Sequence, residues 1–173
     1  LEQLHAQGKA SVLVAEGTRC LGILALSDVL RPEAEAIIQK LTAMHTKIIL
    51  LTGDSHTTAR YFADRMGISE VQAQLLPEEK VASITQLQAA GRTVCMIGDG
   101  VNDAPALKAA SVGVAMGSMG SDIAVEAADV ALMQDDLSQI PYLKRLSNAT
   151  VHTIRFSICL SMLINLAAVT LSV

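Results

Sequence analysis

Aromatic side chains are scarce: tryptophan is absent, and two Phe and two Tyr make up 2% of the 173 residues. A binder of single-stranded nucleic acid stacks bases on aromatic platforms, and this chain has almost none to offer. Positive charge is also in short supply. Thirteen Lys and Arg stand against seventeen Asp and Glu, a net charge of −4, so there is no basic footprint for a phosphate backbone and nucleic acid is excluded as a partner. Cysteine is limited to Cys20, Cys95 and Cys159, odd in number and with no C-x-x-C spacing. Such a set fits a reducing compartment and supplies neither a disulfide framework nor a ready soft-metal site. The opening Leu1-Glu2-Gln3-Leu4-His5 has no initiator Met and no apolar signal segment, so the chain reads as a piece of a longer one.

Apolar residues are abundant, at 51% with a mean hydropathy of +0.41. That excludes disorder and suits one domain of ordinary size, or one domain plus a fragment. Charges are spread through residues 1–155 and then stop: the 18 residues from Phe156 to Val173 carry none. As a helix they would rise about 27 Å, close to the roughly 30 Å hydrocarbon core of a bilayer. Lys144, Arg145, His152 and Arg155 precede the run, as expected of a cytoplasmic flank, so a membrane span is predicted there.

Before that point short apolar runs alternate with helical patterns. Strands are predicted at Ser11–Ala15, Cys20–Leu26, Lys47–Leu51, Val71–Gln74, Thr93–Ile97, Val112–Met116 and Asp129–Met133. Helices are predicted at Pro32–Met44, Ser55–Met66, Glu78–Ala90, Asp103–Ala109, Ser121–Ala127 and from Leu137 onward. Alternation with continuous apolar strands points to an α/β fold, a parallel sheet with helices on both faces. Cys95, on an apolar strand, is expected in the core.

In such a sheet the ligand crevice lies beyond the carboxyl ends of the strands, and two polar, glycine-containing clusters fall there. Thr52-Gly53-Asp54 follows one strand; Gly98-Asp99-Gly100-Val101-Asn102-Asp103-Ala104-Pro105 follows another. Asp99 and Asp103 lie four residues apart across a turn, where two carboxylates repel unless a cation sits between them. Hard oxygen ligands of this kind suit Mg²⁺, and Asn102 adds an amide nearby. Gly98 and Gly100 let the backbone bend close to a ligand. The Thr52 hydroxyl and the Gly53 amide are suitable donors to phosphoryl oxygens. Asp54 has two readings, a functional carboxylate or the N-cap of the following helix. Lys80, one turn into the helix after Leu76-Pro77, can reach back as a fixed positive charge.

Thr52-Gly53-Asp54, Pro77-x-x-Lys80 and Gly98-Asp-Gly-x-Asn-Asp-x-Pro105 resemble the second, third and fourth motifs of haloacid-dehalogenase-type phosphotransferases, in the form used by P-type ATPases. Asp28-Val-Leu-Arg31-Pro32, Ala106-Leu107, and Val114-Ala-Met-Gly117 through Gly120-Ser-Asp122 to Ala127-Ala128-Asp129 bring the resemblance closest to the heavy-metal-transporting branch. It runs over nearly the whole chain. It implies a haloacid-dehalogenase-like Rossmannoid sheet in a pump that hydrolyses ATP through an aspartyl-phosphate and moves a metal ion across a membrane. By motif, Thr52, Gly53 and Lys80 would hold the phosphoryl group, Asp99 and Asp103 would belong to the Mg²⁺ site, and Asn102 would support it. Asp28 and Arg31 would lie near the hinge to a nucleotide-binding domain.

The family's first motif, Asp-Lys-Thr-Gly-Thr, which carries the nucleophile, is absent. It normally lies on the central strand, between those ending in Thr52 and Gly98. The resemblance therefore implies a return segment from the nucleotide-binding domain at 1–19, a partial phosphorylation domain at 20–143 lacking the nucleophile strand, and a helix running into the membrane at 144–173. This piece alone is expected not to form a phosphoenzyme. ATP would be bound mainly by parts missing here, and the remaining partners would be the transported metal, membrane lipid, and the absent nucleotide-binding, actuator and transmembrane parts. The whole would be a multi-pass protein of the cell membrane with residues 1–150 facing the cytoplasm.

In the apolar tail Thr153, Ser157, Ser161 and Asn165 recur every four residues and form a polar stripe expected to face other helices. Asn165 aligns with a transport-site position of metal pumps. Phe156-Ser157 in place of Gln-Asn, and Ile164 in place of Tyr, depart from the copper pattern. Two further readings use the same residues: a soluble phosphatase of this superfamily, and a noncatalytic membrane-anchored module that binds Mg²⁺ or phosphate.

Overall fold

The computed structural model describes residues 9–27, 29–98, 101–116, 122–134 and 136–171, which fall into two compact units, Leu1–Leu137 and Ser138–Val173. In the first unit, β1 (Lys9–Glu16) and β2 (Arg19–Ser27) form an antiparallel hairpin across the two-residue turn Gly17–Thr18, with Leu13 opposite Ile23 and Val12 opposite Leu24. The resemblance assigns only the first of these strands to a return segment and leaves the second with the phosphorylation domain; the structure pairs the two in a sheet of their own. A two-residue connection can only reverse the chain, whereas parallel neighbours need a crossover.

The next elements do alternate. They are α1 (Ala34–Ala43), β3 (Ile49–Leu51), α2 (His56–Met66), β4 (Glu70–Gln72), α3 (Pro77–Ala89) and β5 (Cys95–Gly98). A 3-10 turn (Val101–Asp103) then leads into α4 (Ala104–Ala109), β6 (Val112–Met116), α5 (Asp122–Ala127) and β7 (Val130–Leu132). All pairings among β3 to β7 are parallel, in two sheets: β3-β4 and β5-β6-β7. Among the described residues no ladder joins β3 to β5. The break falls between the strand that ends at Leu51, just before Thr52, and the one that ends at Gly98, where the nucleophile strand is expected to be missing.

Ile84 of α3, Met96 of β5, Ala106 and Leu107 of α4 and Ala115 of β6 form a buried cluster, with Leu51, Val81 and Val94 packed against it. It joins the helix that carries Lys80 to the strand that ends in Gly98. The central strand β6 is buried from Gly113 to Met116, as a strand covered on both faces should be. A Cβ on Gly113 would lie 2.6 Å from the Leu107 carbonyl oxygen, so only glycine lets α4 pack this closely. Asp129 adds a clasp: Gly113 N–H donates to its Oδ2 at 2.8 Å, and its own N–H donates to the Gly113 carbonyl at 2.9 Å.

Cys95 is exposed, a correction to its expected place in the core. Among the described residues its strand, β5, is paired only on the β6 side. Enough neighbouring atoms still crowd the sulfur that desolvation pushes the thiol pKa up.

The second unit is a single helix, α6 (Gln139–Leu171), of 33 residues. It is long and apolar enough to cross a membrane, and none of its most apolar 18-residue window is buried. At 1.5 Å per residue it extends about 50 Å. Thr153 donates its hydroxyl to the Ala149 carbonyl at 3.0 Å, so that member of the polar stripe is satisfied within its own helix.

Candidate functional site

Two helix starts carry the polar clusters, and at neither does the acid's side chain make the capping bond. At α2 the Ser55 hydroxyl accepts the Thr58 N–H at 3.2 Å and is the N-cap. The Asp54 carboxylate bonds elsewhere. Its Oδ2 accepts the Thr52 hydroxyl at 2.8 Å, while the Asp54 N–H donates to the same hydroxyl oxygen at 3.1 Å. Of the two readings of Asp54, capping is thereby removed. Thr52 and Asp54 line a depression of about 230 Å³ whose other walls are apolar, among them Val29, Leu30, Leu50, Phe62 and Met66.

At α4 the N-cap position is Asp103, whose side chain makes no capping bond. Its Oδ1 instead accepts the Lys80 ammonium at 2.7 Å, across 23 residues of sequence. The two side chains are only 14% and 16% exposed. Lys80 is held at that point by the start of α3, where Pro77 occupies the first turn and the Glu79 carboxylate accepts the Leu76 N–H at 2.7 Å. Gly98 completes the contact. A Cβ there would stand 2.7 Å from Asp103 Cβ and 3.0 Å from Oδ2, so Asp103 occupies the space a side chain at 98 would need.

Lys80, Gly98 and Asp103 are therefore brought together. Asn102 is exposed on the 3-10 turn between β5 and α4. Asp99, Gly100, Asp28 and the 117–121 stretch lie outside the described residues, and Asn165 lies in the second unit. Among the described residues no group of three or more His, Cys, Asp and Glu is placed to hold a metal. The donors that are described at the turn, Asp103 Oδ2 and the Asn102 amide, are oxygens, which fit a hard cation and not a soft one.

Sequence reasoning gives Lys80 and Asp103 separate ligands and misses that they bond to one another. It also misses the backbone joining the Thr52 loop to the Lys80 helix. Thr52 N–H donates to the Gln72 carbonyl at 3.0 Å, Leu75 N–H to the Thr52 carbonyl at 3.0 Å, and Gln74 N–H to the Asp54 carbonyl at 2.8 Å. Ser and Asp are equally good caps by residue type, so the sequence could not separate Ser55 from Asp54; the loop bonds had no sequence signal.

The haloacid dehalogenase-like hydrolase family matches the chain over residues 1–111. A probable cadmium-transporting ATPase of Staphylococcus aureus (strain MRSA252) is 42% identical over 169 residues, 97% of this chain and 23% of that protein. Copper-transporting ATPase 1 of Rattus norvegicus is 42% identical over 163 residues, 94% of this chain and 11% of that protein. A crystal structure of a zinc-transporting PIB-type ATPase in the E2P state superposes with a TM-score of 0.77 at 41% identity, covering 91% of this chain and 26% of that one. The chain thus spans about a quarter or less of the length of these relatives.

Proposed function

The chain belongs to the haloacid dehalogenase-like hydrolase family, and on that premise we propose that it is the phosphoryl-handling part of a heavy-metal-transporting P-type ATPase. The observation that carries the reading is the Lys80–Asp103 pair at 2.7 Å, packed on Gly98, which unites two separate sequence motifs at the carboxyl end of a parallel strand. Phosphoryl transfer asks a protein mainly for positioning and charge neutralisation. Lys80 supplies a fixed cation, and Thr52 and Gly53 supply donors to the phosphoryl oxygens. Asp54 holds the Thr52 hydroxyl until a phosphoryl oxygen takes its place.

Mg²⁺ would be held by Asp99 and by the Asp103 oxygen that Lys80 leaves available, with Asn102 beside it; bound there, it would neutralise charge on the phosphoryl group. Gly98 leaves Asp103 the room it needs at that turn, and Gly100 is proposed to let the backbone come close to the phosphoryl group. The nucleophile would come from a strand lodged between β3 and β5, outside this chain, and ATP would be held mainly by further segments of the parent protein. Residues 1–19 would be the return from a nucleotide-binding domain, 20–143 the partial phosphorylation domain, and α6 the start of the next membrane segment. The parent would be multi-pass, with residues 1–150 in the cytoplasm. Asn165, the one amide in the apolar span, is proposed as a residue of the transport path.

The test is ATP-driven metal uptake by inside-out vesicles holding the full-length parent, across Zn²⁺, Cd²⁺, Co²⁺, Cu⁺ and K⁺. Uptake of a heavy metal that is lost in Lys80→Ala supports the reading. Phosphatase activity in a parent with no uptake of any ion would replace it with the soluble-phosphatase reading. Neither activity in a folded parent would point to the noncatalytic module.

A further inference from the structure

Gln74 has a backbone φ of +58°, in the left-handed region that residues with a Cβ seldom occupy. Its side chain is exposed, so packing of the side chain does not hold it there. What does hold it is the backbone around it. β4 ends at Gln72, and the parallel ladder with β3 ends at the Leu51–Gln72 pair. Beyond that pair, Thr52 N–H donates to Gln72, and Leu75 N–H donates back to Thr52. Gln74 N–H reaches past both to the Asp54 carbonyl at 2.8 Å. A regular strand would turn alternate N–H groups away from its neighbour. The left-handed residue lets the amides of both Gln74 and Leu75 face the loop, and shortly afterwards Pro77 opens the helix of Lys80.

We propose that Gln74 is a positioning residue: its left-handed backbone clasps Thr52-Gly53-Asp54 to the start of α3 and so sets the loop that holds a phosphoryl group against Lys80. The link to phosphoryl binding rests on the function proposed above; the clasp itself does not. Strain kept at one non-glycine residue beside a site is a common way for folds to fix geometry. Here the strain lies on the only covalent path between β4 and the Lys80 helix, and substitution at Gln74 changes backbone preference without removing any group that touches a ligand.

Two measurements test this with Gln74→Gly, Gln74→Asn and Gln74→Val. Glycine and asparagine tolerate the left-handed conformation, and β-branched valine does not. In the full-length parent, half-inhibition of metal-stimulated ATP hydrolysis by orthovanadate should stay within about twofold for the Gly and Asn variants and weaken at least tenfold for Val. A folded Val variant with wild-type vanadate sensitivity overturns the positioning role. In the same parent, amide hydrogen exchange at Gln74 and Leu75 should be slow in wild type and Gln74→Gly and at least tenfold faster in Gln74→Val. Equal protection in the Val variant overturns the clasp. A parent that hydrolyses no ATP contradicts the function while leaving the exchange result to decide the clasp.

Discussion

Lys80 and Asp103 form a 2.7 Å ion pair across 23 residues of sequence, with both side chains largely buried. Removing either partner alone leaves the other charge poorly solvated, which costs about 2–3 kcal/mol, below the fully buried range because some water still reaches the pair. Lys80→Ala and Asp103→Ala are each expected to lower stability by that amount in urea unfolding. The double variant should lose about 1–2 kcal/mol less than the sum, the coupling of residues in direct contact. Additive losses would show that the pair does not form.

Gly98 and Gly113 are both set by close approach, but against different obstacles. A Cβ at 113 meets the backbone oxygen of Leu107 at 2.6 Å, whereas at 98 it meets the Asp103 side chain, at 2.7 Å. A backbone neighbour cannot step aside without moving α4. Gly113→Ala should therefore destabilise by about 3 kcal/mol, at the upper end of overpacking costs. Gly98→Ala should cost about 1–2 kcal/mol and displace Asp103, so that the coupling energy between Lys80 and Asp103 falls in the double-mutant cycle.

Ser55, not Asp54, caps α2. Ser55→Ala is expected to cost about 1 kcal/mol, the usual value of a lost hydroxyl cap, and to leave the Thr52–Asp54 bond in place. Asp54→Ala should change stability less and phosphoryl handling more. The reverse order in thermal unfolding and vanadate inhibition would return Asp54 to the capping reading.

Cys95 is exposed on a strand that, among the described residues, pairs only with β6, and its thiol pKa is pushed up by desolvation. In a Cys20→Ser, Cys159→Ser background the thiol form persists to higher pH than in a free peptide. Maleimide labelling of Cys95 should therefore still be rising at pH values where a peptide thiol has levelled off. If a strand of the parent fills the space between β3 and β5, the same cysteine should be protected in the full-length protein. Equal labelling in the chain and the parent would argue against that strand.

Element types were largely written in the sequence. Val112–Met116 is a continuous apolar run bounded by Ser111 and Gly117, and it is a strand over that range. The long uncharged tail is helical through Leu171, as its length and composition demand. Both strands of the hairpin were legible as strands, but apolar periodicity does not encode which way a strand pairs; Gly17–Thr18 held that information in its two-residue length. Cys95 was misplaced because a strand's burial depends on neighbours, and among the described residues no strand pairs with the other side of β5. At the site, motif spacing located Thr52, Lys80 and Asp103. It did not show that Lys80 bonds to Asp103, nor that Gln74 turns left-handed, because both are set by how separate elements meet.

The proposed role of Thr52 and Lys80 is to hold a phosphoryl group carried by a nucleophile from elsewhere in the parent protein. Its most direct test is acid-stable, hydroxylamine-sensitive incorporation of phosphate from ATP into the full-length protein, compared with Thr52→Val, Lys80→Ala and the 173-residue chain alone. Metal-dependent labelling of the parent, a loss of at least tenfold in both variants, and none in the isolated chain are expected. Full labelling of Lys80→Ala, or any hydroxylamine-sensitive labelling of the isolated chain, would contradict it.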